Sequence, residues 1–169
     1  MRPLVICASQ RFKEPLDAFT PFLQKRGVLV FGPNFRRHRR SSIQKPEHLR
    51  LKSLTYKAKV PGMVRAHFDN LDVVKGMGGA CLIFNPAPHN QSSQYGYIGS
   101  NTQGEVGYAA AIHLPVLLIK PHQEEWIMTV AHHDHNHIFT MKHPKANPLD
   151  WDLMWEKWLK TWLQLGGGH

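Results

Sequence analysis

Residues 3–9, "PLVICAS", form a short unbroken apolar run that stops at a polar turn, the pattern of a strand covered on both faces. In "KEPLDAFTPFLQKRG" the period changes. Leu16, Phe19, Phe22 and Leu23 fall at helical spacing, Pro21 is positioned to kink the helix, and Gly27 stands where a C-cap belongs. "VLVFGPNF" follows as a second strand and completes a strand–helix–strand unit. The alternation then repeats: "GMVRAHFDNLDVV" reads as a helix ended by glycines 76, 78 and 79, "ACLIFNP" as a third strand, "NTQGEVGYAAAIHL" as an Ala-rich helix and "PVLLIKP" as a fourth strand. Beyond Pro121 the pattern weakens, and "WIMTVAHHDHNHIFTMKHP" reads as a short helix and a fifth strand, "HIFTM". In "NPLDWDLMWEKWLKTWLQL", residues Trp151, Met154, Trp155, Trp158, Leu159 and Trp162 line one broad helical face, with Asp150 placed as N-cap.

Strands alternating with helices predict an α/β fold: a doubly wound, mostly parallel five-stranded sheet, flavodoxin- or Rossmann-like, with helices on both faces. A chain of 169 residues, 42% hydrophobic, fits one domain over residues 1–165; the terminal "GGGH" has no periodicity and takes no part in this reading. Cys7 and Cys81 lie in apolar runs, so they read as small buried hydrophobes in a reducing compartment, and a cytoplasmic location is expected. No apolar run approaches the roughly 18 residues of a membrane span, so no membrane partner is expected. A tryptophan stripe of this kind points to core or to an oligomer contact before a ligand site.

The net charge of +9 is unevenly spread. From Arg36 to Arg65 there are ten Lys or Arg, four of them in "RRHRR", against the single acid Glu47, which marks a basic insertion at about 36–65. Such a block is either a solvated loop or a partner for phosphate oxygens. Aromatic interleaving is thin, with Phe35, Tyr56 and Phe68 nearby, so nucleic acid is set aside in favour of a clamp for a phosphorylated small molecule.

In an open α/β sheet, ligands bind beyond the carboxyl ends of the strands. That rule selects Ser9 and Gln10 after the first strand, Asn34, Arg36 and Arg37 after the second, and Asn85 with Gly99, Ser100, Asn101 and Thr102 after the third. For Asn85 and residues 100–102, a role as turn formers competes with one as sugar or phosphate donors. Glu105 closes the third loop, and Thr102-x-x-Glu105 matches a capping box in which each side chain meets the other's backbone amide. A separate cluster, His133, His135 and His137 within His132–His137, would share one strand face in reach of a zinc ion. No HExxH or paired-cysteine spacing supports it, and neither a resident metal nor a cofactor is expected.

The order "GYIGSNTQGEVGYAAAIHLPV" resembles the signature of the nucleoside 2-deoxyribosyltransferase superfamily, which includes nucleotide N-glycosidases: Gly and a small polar residue before a Glu, then a hydrophobic residue, Gly, an aromatic, Ala and a later Pro-Val strand. The resemblance covers roughly residues 3–120, most strongly 96–120. It implies an enzyme that cleaves or exchanges the N-glycosidic bond of a nucleoside or nucleoside 5′-monophosphate, with Glu105 attacking C1′ of the sugar. It also implies a second carboxylate on the helix before the third strand, where Asp72 or Asp69 is nearest, with His67 as an alternative proton carrier, and a homo-oligomer. The expected charge on Glu105 suits a helix N-terminus, whose free amides stabilise an anion. A non-catalytic nucleotide-binding module with the same fold is the alternative.

Overall fold

Strand β1 (Leu4–Ala8) is buried along its first four residues, as an unbroken apolar run requires inside a parallel sheet. The computed structural model describes residues 1–33, 35, 49, 52–86, 95–133 and 148–165. Within it β1 joins β2 (Val30–Phe31), β3 (Ala80–Phe84), β4 (Val116–Leu118) and β5 (Ala131–His133) in one sheet of order β2-β1-β3-β4-β5. Every pairing is parallel, with Leu4 opposite Val30 on one side and Leu4 opposite Ala80 through Ala8 opposite Phe84 on the other. The predicted doubly wound α/β fold is therefore present, with a switch in strand order between β1 and β3.

The period-two alternation of the strands divides the core into two layers. Leu4, Ile6, Leu82, Phe84 and Leu117 face α1 (Lys13–Gln24) and the C-terminal helices α5 (Pro148–Met154) and α6 (Lys160–Leu165), which a π-helical turn at Trp155–Leu159 joins. Val5, Cys7, Cys81, Ile83, Val116 and Leu118 face α2 (Leu54–Gly76), α3 (Ser100–Ala111) and α4 (Glu125–Val130). Gly27 takes φ +78° just beyond α1, the left-handed cap its position predicts. Pro21 lies inside that helix.

Several expectations are corrected. The second strand is two residues rather than eight, and α2 begins at Leu54 rather than near Gly62, so the far half of the basic insertion is the start of a helix. The fifth strand is Ala131–His133, whereas "HIFTM" lies outside the described residues. Asp150 is not an N-cap: α5 starts at Pro148, whose fixed φ suits a first turn. The tryptophan face is core within the chain itself. Trp151, Trp155 and Trp158 are buried in the first layer, Trp151 packs edge-on against Phe19 at 5.2 Å between ring centres, and Arg26 ties α1 to Asp152 beside it. Among the described residues no helix is long and apolar enough to cross a membrane.

Candidate functional site

At the switch point, four elements of the second layer bring polar side chains together beneath α2 and α3. Cys7 is the fourth residue of β1 and Cys81 the second of β3; both are fully buried, with their sulfurs 3.5 Å apart. His67 on α2 meets Glu105 on α3, Nδ1 to Oε1, at 2.6 Å, and each residue is only 7% exposed. Donor atoms of Cys7, His67 and Glu105 all lie within 4.8 Å of one another. Burial first, then the neighbouring Cys81 and Glu105, hold the Cys7 thiol well above its ordinary range, so it is protonated at neutral pH.

The far atoms of the pair, His67 Nε2 and Glu105 Oε2, are buried and have no hydrogen-bond partner among the described residues. Buried polar atoms are ordinarily satisfied, because leaving one unmet costs about 1–3 kcal/mol. Two such atoms on adjoining side chains mark this spot for something beyond packing.

The local route to Glu105 differs from the capping box. Gly99, in extended conformation, is the N-cap of α3, and the first helical bond runs from Gln103 N to Gly99 O at 2.9 Å. Thr102 is thus the third helical residue and Glu105 the sixth, one turn too deep to reach a free terminal amide. The carboxylate is met by His67 across the helix interface, not by the helix end.

Of the three groups expected beside Glu105, only His67 reaches it. Asp72 instead accepts a hydrogen bond from Tyr108 Oη, at 3.1 Å to Oδ1 and 2.9 Å to Oδ2, which raises the tyrosine's pKa, while Asp69 is exposed. The helical period explains the difference: His67 lies on the buried face of α2 with Leu71 and Val74, and the two aspartates fall outside it.

Asn85 is likewise committed elsewhere. Its Nδ2 donates to Lys120 O at 2.8 Å and its Oδ1 accepts from Lys120 N at 3.0 Å, which extends the β3–β4 pairing beyond the strand ends. Gly96 lies against it so closely that a Cβ there would overlap the Asn85 amide and carbonyl. Ser9 caps the short 3-10 turn Gln10–Phe12, accepting from Arg11 N at 3.5 Å, and Gln10 Nε2 is buried without a partner among the described residues. Thr102 is buried, Gly99 half-buried, and Ser100 and Asn101 exposed at the start of α3. Asn34, Arg36 and Arg37 lie outside the described residues, as do His135 and His137; His133 ends β5.

Residues that the sequence reading passed over also gather here. Arg11 lies over the Tyr97 ring at 3.6 Å, joining the turn after β1 to the segment before α3. Lys120 is buried at the carboxyl end of β4, and its only sequence signal is a cation closing an apolar run. Burial lowers its pKa. The folded chain therefore sheds this proton at lower pH than the unfolded chain, so stability rises with pH from the folded value up to the ordinary lysine range. Lys120→Met should flatten that rise in urea titrations run across the window; a slope unchanged from wild type would place the burden on another group.

Sheet order and cluster together define an α/β protein with a buried Cys–His–Glu constellation at its topological switch point. No family model, curated protein or solved structure matches the chain, so the geometry alone carries the functional argument.

Proposed function

We propose that this protein cleaves or exchanges the N-glycosidic bond of a nucleoside or nucleoside 5′-monophosphate, with Glu105 as nucleophile and His67 as its positioning partner. The observation that carries the reading is the asymmetry of the Glu105 carboxylate: Oε1 is held by His67, whereas Oε2 is buried at the switch point and unmet among the described residues. In a glycosyl transfer Oε2 attacks C1′, the C1′–N bond breaks, and the base leaves with the electron pair and takes a proton from solvent. Water or a second base then attacks C1′ and releases the carboxylate. With Nδ1–H donated to Oε1, His67 Nε2 is left as an acceptor for the proton of an attacking water.

A phosphorylated substrate accords with the cations of residues 36–65, and assembly as a homo-oligomer remains part of the proposal, on a surface other than the buried tryptophan face. The second reading, a nucleotide-binding module without turnover, draws on the same 2.6 Å bond, since a buried pair joining α2 to α3 also has a structural use. Incubation with a panel of nucleosides and monophosphates separates them. Free base is expected under the first reading, and saturable binding with no base released would establish the second. Because Asp72 is engaged by Tyr108 rather than Glu105, Asp72→Asn should change turnover by less than about threefold, under 1 kcal/mol. A larger loss would return the second-carboxylate role to Asp72.

A further inference from the structure

We propose that Cys7, Cys81, His67 and Glu105 form a binding site for a thiophilic divalent ion of the zinc class. Two thiols, an imidazole and a carboxylate are a donor set that zinc accepts, and here they come from four separate elements, β1, β3, α2 and α3. The spacing fits. Two sulfurs on one tetrahedral zinc, each at about 2.3 Å, stand about 3.8 Å apart, and Cys7 and Cys81 are already at 3.5 Å. One donor each from Cys7, His67 and Glu105 lies within 4.8 Å of the others, and the Cys81 sulfur, next to Cys7 but outside that group, has to move toward the ion on binding. The His67–Glu105 contact has to open from 2.6 Å to about 3.3 Å, exchanging one hydrogen bond for two bonds to the ion.

A second observation points to the same place. His67 Nε2 and Glu105 Oε2 are buried without hydrogen-bond partners among the described residues, so each side chain has a free polar atom beside the ion. On binding, the two thiols become thiolates and their protons pass to solvent, while the His67 proton shifts from Nδ1 to Nε2 and frees Nδ1 as the ligand atom. The histidine run at 132–137, by contrast, offers imidazoles and the Asp134 carboxylate but no thiol. The ion site stands independently of the glycosidic reading; one consequence rests on that reading, namely that a bound ion occupies Glu105 and inhibits turnover.

The test is optical and needs no activity. The full-length protein, reduced and stripped of metal, is titrated with Co²⁺ and then with Zn²⁺. A single equivalent of Co²⁺ should give the intense thiolate-to-cobalt charge-transfer absorption of a tetrahedral site, and Zn²⁺ should erase it. Cys7→Ser, Cys81→Ser and His67→Gln should each weaken binding by about 100-fold or more, the upper range seen even for outer partners of metal ligands. Should one of these variants fail to fold, the others read the same site. A wild-type protein that shows no thiolate band, or a band that survives in both cysteine variants, would overturn the proposal. So would cobalt binding that is pale and octahedral, which assigns the ion to histidines outside the cluster. Base release by a protein without the band would remove the metal site and leave the glycosidic reading standing; a band without base release would do the reverse.

Discussion

Glu105→Gln should lower kcat by about 10³ or more on the best substrate while the protein folds and binds nucleotide much as before. The substitution preserves shape, and the amide oxygen still accepts from His67 Nδ1, so the 2.6 Å link between α2 and α3 keeps a neutral counterpart. The lost charge matters most where Oε2 would bond to C1′, because an amide is a poor nucleophile and steadies no oxocarbenium charge. Stability should fall by about 1 kcal/mol, the net worth of a typical hydrogen bond, because one hydrogen bond changes character and none is deleted. Under the binding-module reading the same variant keeps its nucleotide affinity and there is no turnover to lose. Comparison of single-turnover base release with equilibrium binding on wild type and variant decides the matter. Retention of more than about a tenth of wild-type turnover corresponds to less than about 1.4 kcal/mol and would reject covalent catalysis.

The need for His67 in that argument shows where sequence reasoning stops. The unbroken apolar runs of β1 and β3 and the 3.6-residue period of α1 are local, so the alternation of strands and helices was legible, whereas the layer each strand residue faces was not. The pairing of His67 with Glu105 spans 38 residues and depends on how α2 crosses α3, which no local period encodes. Cys7 was legible as a buried apolar residue, and it is buried; that its sulfur sits beside Glu105 follows from how α3 packs on that face of the sheet. The capping box misled because Thr102-x-x-Glu105 satisfies the motif's spacing, while Gly99 starts the helix three residues earlier from an extended backbone. The first turns of α2, "LTYKAKV", were hidden by their two lysines and by Pro61, which its position within the helix tolerates at a local cost.

Asn85→Ala should destabilise the protein by about 2–5 kcal/mol, although the side chain removed is small and polar. Asn85 is fully buried one residue past the end of β3, where regular pairing has run out. Its amide supplies a donor and an acceptor to Lys120, so that the backbone N–H and C=O beyond β4 are both met by one side chain. Alanine leaves both groups buried and unpaired, each costing about 1–3 kcal/mol. Asn85→Asp separates the two bonds: one carboxylate oxygen still accepts from Lys120 N, but the other faces the Lys120 carbonyl and repels it. Such a carboxyl is driven toward its protonated form, which restores a donor. Its folded pKa lies above the unfolded value, so its contribution is present at acid pH and lost as pH rises through the folded pKa. The Asp variant should therefore be weakest near neutrality and recover part of its deficit toward pH 4, whereas the Ala deficit should not change with pH. The effect reaches the site because Gly96 packs on Asn85 and donates to Pro121 O at 2.9 Å, which fixes the approach to α3 and so the aim of Glu105. Urea unfolding of both variants across that pH range provides the measurement. An Ala variant within about 1 kcal/mol of wild type would mean that water replaces the side chain at this corner, and that the amide clamp does not hold the end of the sheet.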